Sequence, residues 1–210
     1  MTEARPDLVE IEGLGRSFGA REVIRRLDLR VPAGARVALR GPNGAGKSTA
    51  LRCVAGTLAP TRGTVAIDGF AAGSVPARRR IGVSFAQERS FHMRLNGRAN
   101  LIFFAQLHLG SRRAAVREVD ALIEELDLRE IAPRRLDQCS TGMVQQLAIA
   151  RALSADPDVL LLDEPTRSLD KEAIARFWAA IDRRPDAAVL IATHRDEDLE
   201  RCGSIVDFPT

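Results

Sequence analysis

Gly41-Pro42-Asn43-Gly44-Ala45-Gly46-Lys47-Ser48 fits the pattern G-x-x-x-x-G-K-[ST], and the residues on either side decide what that match means. Upstream, Arg36 to Arg40 is a short strand-like run; downstream, Lys47 to Thr57 carries Leu51 and Val54 at helical spacing. Strand, glycine-rich loop and helix in that order form a phosphate cradle. Backbone N–H groups converge on an anion only where the chain bends without Cβ crowding, which is the use of Gly44 and Gly46. The helix start adds about half a positive charge at the same point. Of 31 basic residues only Lys47 and Lys171 are lysine. A compact ammonium suits the β/γ-phosphates where the wide guanidinium fork of Arg does not. The spacing assigns Lys47 to those phosphates, Ser48 to Mg²⁺, and Gly41 through Thr49 to nucleotide binding.

Outward from this loop the chain alternates strands and helices. Leu8 to Gly13, Val23 to Val31, Val65 to Ile67 and Ile81 to Phe85 read as strands bounded by glycine and proline turns. Arg78 to Arg80 reads as a solvated basic turn. From Asn96 to about Leu128 the pattern becomes amphipathic and helical, with Ser111 as an N-cap and Val116, Val119, Leu122, Ile123 and Leu126 on one face. A helix from about Gly142 to Leu153, a strand Val159 to Leu162, a helix Lys171 to Ile181 and strands Ala188 to Ala192 and Ser204 to Phe208 follow. Apolar strands alternating with helices predict an α/β fold with a buried parallel sheet.

The strand Leu160-Leu161-Leu162 runs into Asp163-Glu164. Ligands of open α/β sheets bind at the carboxyl ends of strands, so these carboxylates face the cradle. Asp163 is expected to hold Mg²⁺, directly or through water, and Glu164 to polarise the attacking water. A solvated acidic pair ending a strand is the ordinary reading; the phosphate loop turns the balance toward chemistry.

These residues resemble the ATP-binding cassette ATPases from about Leu8 to Phe208. The most specific element is Cys139-Ser140-Thr141-Gly142-Met143 followed by Gln145-Gln146, similar to the family's signature motif. The resemblance implies a P-loop NTPase domain with a mainly parallel sheet core, an N-terminal antiparallel β subdomain and a helical insertion at about 88–155. It implies ATP with Mg²⁺, and two chains, a homodimer or two related cassettes, closing head to tail over two ATP molecules. Ser140, Thr141 and Gly142 then act on the partner's nucleotide, as a second anion site at a helix start. By the same resemblance Phe18 stacks on adenine, and Gln87 contacts Mg²⁺ and links the nucleotide to the insertion. Asp170, in Ser168-Leu169-Asp170, lies in the loop that crosses the dimer interface, and His194 senses the γ-phosphate. The sequence departs from the family pattern at Cys139, Thr141 and Met143 of the signature and at Arg167 and Ser168 before Leu169-Asp170.

The stretch from Glu88 to Ala105, with the signature, resembles subunits of bacterial exporters for polysaccharides, lipids, drugs or haem. That implies separate transmembrane permease subunits, a peripheral position on the cytoplasmic membrane face, and a groove after Gln87 in which Phe91, Leu95 and Leu101 receive a partner helix. A soluble assembly ATPase, resembling iron–sulfur cluster assembly factors, is the other reading. The distance between the P-loop and the Asp-Glu strand leaves no room for the long coiled coil of chromosome ATPases. A sensor that binds without turnover is disfavoured by Lys47, Asp163, Glu164 and His194 standing together.

Composition sets the outer bounds. The chain has 210 residues, 45% hydrophobic and 28% charged, which suits one folded domain. A net charge of +3 is a mild excess and not a nucleic-acid-binding composition. No apolar stretch approaches the roughly 20 residues that span a bilayer. Cys53, Cys139 and Cys202 lack metal-ligand spacing and read as reduced structural thiols.

Overall fold

Runs such as Val159-Leu160-Leu161-Leu162 and Ala188-Val189-Leu190-Ile191-Ala192, apolar at every position, have no solvent face and must be covered on both sides. The computed structural model, which describes residues 5–85 and 90–208, places them at the centre of a parallel sheet. In chain order the elements are β1 (Asp7–Phe18), β2 (Arg21–Pro32), β3 (Arg36–Arg40), α1 (Lys47–Val54), β4 (Arg62–Ile67), β5 (Phe70–Ala71), α2 (Val75–Arg80) and β6 (Ile81–Ser84). Then come α3 (Gly97–Leu109), α4 (Arg112–Glu125), a 3₁₀ turn (Leu136–Gln138), α5 (Thr141–Leu153), β7 (Val159–Asp163), α6 (Lys171–Asp182), β8 (Ala188–Ala192), α7 (Asp196–Leu199) and β9 (Ser204–Asp207). Two units emerge: Met1–Ile81 with Asp158–Glu164 and Asp186–Thr210, and Gly82–Pro157 with Pro165–Pro185.

The first unit holds two sheets. Parallel strands run in the order β7-β8-β3-β9, with β7 and β8 buried at every residue. The other sheet is antiparallel, in the order β2-β1-β4-β5. β1 and β2 join through the two-residue loop Gly19-Ala20, with φ +58° at Gly19, the positive value such a loop favours at its first position. Their register shifts at four points, one of them where Leu14 pairs with Leu27 and Arg16 with Ile24. Two β2 residues, Arg25 and Arg26, therefore oppose the single Gly15, and this bulge leaves both arginines exposed. The basic stretch read as a turn is instead helix α2, capped by Ser74 accepting from Ala77 N–H, with Pro76 in its first turn. Arg80 at its end pairs with Asp68 and Asp158 and stacks on Phe70, tertiary partners that no local pattern foretells.

The second unit is mainly helical. Asn96, Ser111, Ser140 and Asp170 cap α3, α4, α5 and α6, each accepting a bond from the backbone three residues on. Gly110, at φ +65°, ends α3 and lets α4 start one residue later at its Ser111 cap. α4 buries Ala115, Val119, Leu122 and Ile123 at helical spacing. At Gly97 a Cβ would stand 2.9 Å from both Leu147 methyls, so glycine permits the close approach of α3 to α5. Phe177 and Trp178 of α6 meet edge to face at 4.9 Å in the core.

Candidate active site

The phosphate loop sits in the first unit between β3 and α1. Gly44 and Gly46 take φ +85° and +104°, a conformation that L side chains rarely adopt. At Gly46 a Cβ would also meet the Val23 carbonyl at 2.9 Å. α3, α4, α5 and α6 all begin under a capping side chain, whereas α1 begins at Gly46 with none and with no acid in its first turn. That leaves the positive end of α1 for an anion from outside the chain. Lys47 is 6% exposed and its Nζ donates to the carbonyls of Gly41 at 2.6 Å and Pro42 at 3.0 Å. The ammonium is thus held at the rim of its own loop. Pro42, Asn43 and Gly44 are exposed, and Ala45, Ser48 and Thr49 half-buried.

At the carboxyl end of β7, Asp163 is 3% exposed. Glu164 takes φ +49°, a strained value for a side-chain-bearing residue, held because its N–H donates to the Ala192 carbonyl at 2.8 Å and so extends the β7–β8 ladder. The turn swings its carboxylate to His194, whose Nδ1 lies 2.8 Å from Oε1. A carboxylate accepts, so Nδ1 carries the hydrogen, on a half-exposed ring. The other carboxylate oxygen, Oε2, is buried and has no hydrogen-bond partner among the described residues. A buried acceptor of this kind suits a water O–H. His194 is positioned by its neighbours: the buried Thr193 hydroxyl donates to Asp198 at 3.0 Å and accepts from Arg195 N–H at 3.2 Å. Asp198 escapes a sequence reading because it sits in the acidic run Asp196-Glu197-Asp198, which looks like a solvated helix end.

Phe18 ends β1, 48% exposed, with the Arg16 guanidinium 4.4 Å from the centroid of its ring. The ring belongs to the surface of the first unit and not to its core. Gln87 lies outside the described residues.

In the second unit Ser140, Gly142 and Met143 share a cavity of about 470 Å³ with Ser168, Asp170 and Arg134. Ser140 Oγ caps α5 by accepting from Met143 N–H at 3.3 Å, which leaves its hydroxyl hydrogen free to donate into that cavity. Thr141 is exposed at the first position of α5. A Cβ on Gly142 would meet the Ser168 carbonyl at 2.5 Å, so this glycine allows the loop before α6 to lie against α5. Asp170 caps α6 by accepting from Ala173 N–H at 2.8 Å. The structure therefore gathers Ser140, Gly142 and Asp170 at one cavity, and the P-loop, Asp163, Glu164 and His194 within the first unit.

The proposed docking contacts need correction. Phe91 and Leu101 are 5% and 1% exposed and belong to the core: Leu101 lies on the inward face of α3, and Phe91, ahead of that helix, packs edge to face on Phe104. Leu95 and Phe103, at 43% and 42%, line a groove of about 330 Å³ with Ile102, Gln106 and Arg112. Two residues that no motif marks organise this region. Buried Asn100 accepts from His92 N–H at 2.8 Å and donates to the carbonyls of His92, Leu95 and Asn96. Arg151 of α5 stacks on Phe91 and Phe104 and donates to Ser90 and the Val83 carbonyl.

All three cysteines are free. Burial raises each thiol above its ordinary value; for Cys202, burial and then the nearby Asp198 carboxylate push it up to about 11. Thiols held protonated in this way are poor nucleophiles. Among the described residues no three His, Cys, Asp or Glu side chains cluster as a metal cage. The donors present, a strand-end carboxylate and a serine hydroxyl, fit Mg²⁺, an ion that keeps most of its shell as water and phosphate oxygen. Among the described residues no helix is long and apolar enough to cross a membrane.

The model of the ABC transporter family matches residues 24–167. The ABC transporter ATP-binding protein NatA of Bacillus subtilis (strain 168) is 35% identical over 190 residues, 88% of this chain and 77% of that protein. The Nod factor export ATP-binding protein I of Burkholderia lata is 36% identical over 197 residues, covering 92% of this chain and 64% of that protein. The chain thus spans about two thirds to three quarters of the length of these two relatives. A solved structure of an ATP-binding subunit of an ABC transporter superposes with a TM-score of 0.86 at 28% identity, over 96% of this chain and 85% of that one.

Proposed function

The chain belongs to the ABC transporter family and is an ATP-binding ATPase of that family, and we propose that it serves as the motor subunit of an exporter. It docks on separate transmembrane permease subunits at the cytoplasmic face of the membrane. The observation that carries the catalytic part is Glu164: a strained turn brings its carboxylate to His194 and leaves Oε2 buried without a partner among the described residues. That oxygen is the acceptor for a proton of the attacking water. His194 holds the Glu164 carboxylate in orientation through Nδ1 and turns Nε2 toward the substrate. Lys47 and the uncapped start of α1 carry the phosphate charge, a preorganised electrostatic role. Asp163 and Ser48 would hold Mg²⁺, which when bound neutralises charge on the β- and γ-phosphate oxygens.

Ser140 and Gly142, at the second unit's cavity, contact the nucleotide of a second copy, so that ATP closes the dimer and hydrolysis reopens it. Leu95 and Phe103 line the groove that takes a short helix of the permease. Curated relatives include both export and import subunits; the export direction rests on relatives such as the Nod factor export protein.

The test is the solution mass of Glu164→Gln with ATP and Mg²⁺. Hydrolysis is expected to fall at least about a hundredfold, the scale of general-base assistance, with ATP still bound. The mass should shift from 22.9 kDa to twice that value. Turnover close to that of the parent would remove Glu164 from its role, and a monomer with ATP bound would remove the self-sufficient homodimer.

A further inference from the structure

Alongside the P-loop lies a cavity of about 510 Å³ in the first unit, bounded by Arg21 through Leu27 of β2, by Gly44 and Ala45 of the loop, and by Asp207 and Phe208. Most charges on its wall are already matched. Glu22 takes a bond from Arg62, Arg26 donates to Asp28, and Arg40 donates to Asp207 in a two-bond pair of 2.7 and 3.0 Å. Arg21 and Arg25 remain: among the described residues neither guanidinium has an acid or a carbonyl as partner. Their placement is built into the fold. Arg21 is the Cα partner of Phe18 across the two-residue hairpin loop, so the exposed ring and the cation occupy one hairpin end. Arg25 sits on the β-bulge opposite Gly15, and Arg62 fastens that bulge by donating to the Arg25 carbonyl as well as to Glu22. At Gly15 a Cβ would collide with the Arg62 side chain at 2.5 Å, so the glycine makes room for the clasp.

Two unmatched cations on a clasped bulge, in a cavity shared with the exposed tip of an anion-binding loop, call for an anion that reaches beyond the loop. We propose that Arg21 and Arg25 are nucleotide-binding residues of this chain, extending the P-loop's charge along the polyphosphate of ATP. The proposal rests on the P-loop being the ATP site. It gives β2 a share in binding ATP beside Lys47 and the α1 terminus: long-range attraction that grows with the charge of the nucleotide.

Calorimetric titration of the full-length chain with ATP and with AMP, at about 50 and about 300 mM salt, tests it. Exposed charges contribute individually little, so each alanine variant should weaken ATP binding a few fold and R21A/R25A together about tenfold at the lower salt. AMP should weaken less than about threefold, the gap should narrow at the higher salt, and R21K/R25K should restore ATP affinity to within about twofold. An ATP affinity of R21A/R25A within twofold of the parent overturns the proposal, as does an equal loss for ATP and AMP. Lys47→Ala separates the two layers: if it binds ATP as tightly as the parent, the P-loop reading itself fails and the proposal with it.

Discussion

Replacing Gly142 with alanine is the smallest change that drives apart the two loops meeting at the second unit's cavity. The new Cβ would lie 2.5 Å from the Ser168 carbonyl oxygen, where ordinary contact begins at 3.4 Å, so 0.9 Å of separation must be found. Neither side yields freely. Ser140 is tied to Met143 N–H by its cap, and two residues beyond Ser168 the Asp170 carboxylate is tied to Ala173 N–H at 2.8 Å. Overpacking of this kind costs about 1–3 kcal/mol, but alanine is favoured over glycine in a helix by about 1 kcal/mol. The net cost of about 0–2 kcal/mol corresponds to a Tm lower by no more than about 8 °C. Catalysis should respond more. A displacement near 1 Å in a group that positions a reacting phosphate costs up to about a hundredfold, so steady-state ATP hydrolysis should fall about 30- to 100-fold. ATP binding to the separate chain, measured calorimetrically, should stay within twofold, because the P-loop belongs to the first unit. Hydrolysis within about threefold of the parent in a folded variant would refute the reasoning that Gly142 sets the geometry of a site acting on nucleotide.

Asn100→Ala removes four hydrogen bonds at a fully buried position and strands the His92 N–H, for a loss of about 2–4 kcal/mol; thermal denaturation within 1 °C of the parent would contradict it. Burial opposes the charge of Glu125, but the hydrogen bonds from Arg184 and Arg183 outweigh it and hold the carboxyl below its ordinary range. A carboxyl with a depressed folded-state pKa adds stability above its unfolded value of about 4.3 and loses it as the pH falls through the folded value. Glu125→Gln should therefore cost about 1–2 kcal/mol at neutral pH and progressively less below about pH 4; a penalty that is constant with pH in urea titrations would exclude the ion pair as its cause. Cys202, with its thiol raised to about 11, should alkylate more than about tenfold slower than a free thiol near pH 8.5, and peptide mass mapping showing it labelled at the free rate would contradict its burial.

Sequence spacing carried the reading furthest where chemistry is contiguous. The P-loop is eight adjacent residues between a strand and a helix, and its demands for glycine at positive φ and for one lysine are local, so pattern and placement agree. The same holds for the buried apolar strands β7 and β8, whose uninterrupted runs admit no solvent face, and for Ser111 as a cap, whose partner lies three residues away. At Arg78 to Arg80 the sequence reads as a solvated turn, and Arg78 and Arg79 are exposed, but the partners that fix Arg80, namely Asp68, Phe70 and Asp158, are not its sequence neighbours. Phe91 and Leu101 read as docking residues in the sequence because hydrophobicity says only that a side chain is apolar, not whether α3 turns Leu101 inward or Phe104 covers Phe91.

By itself, then, the sequence determined a parallel α/β pattern with a phosphate-binding loop, and its resemblance to the ATP-binding cassette ATPases added the signature before α5, since those features are written in neighbouring residues. Only the tertiary structure decided that Glu164 turns through a strained φ to meet His194, that Gly142 shares a cavity with Ser168, and that a bulge opposite Gly15 frees Arg25 beside the P-loop. Each of these depends on two segments distant in the chain meeting within hydrogen-bond or van der Waals reach, and a residue's neighbours in sequence say nothing of which remote backbone will arrive there.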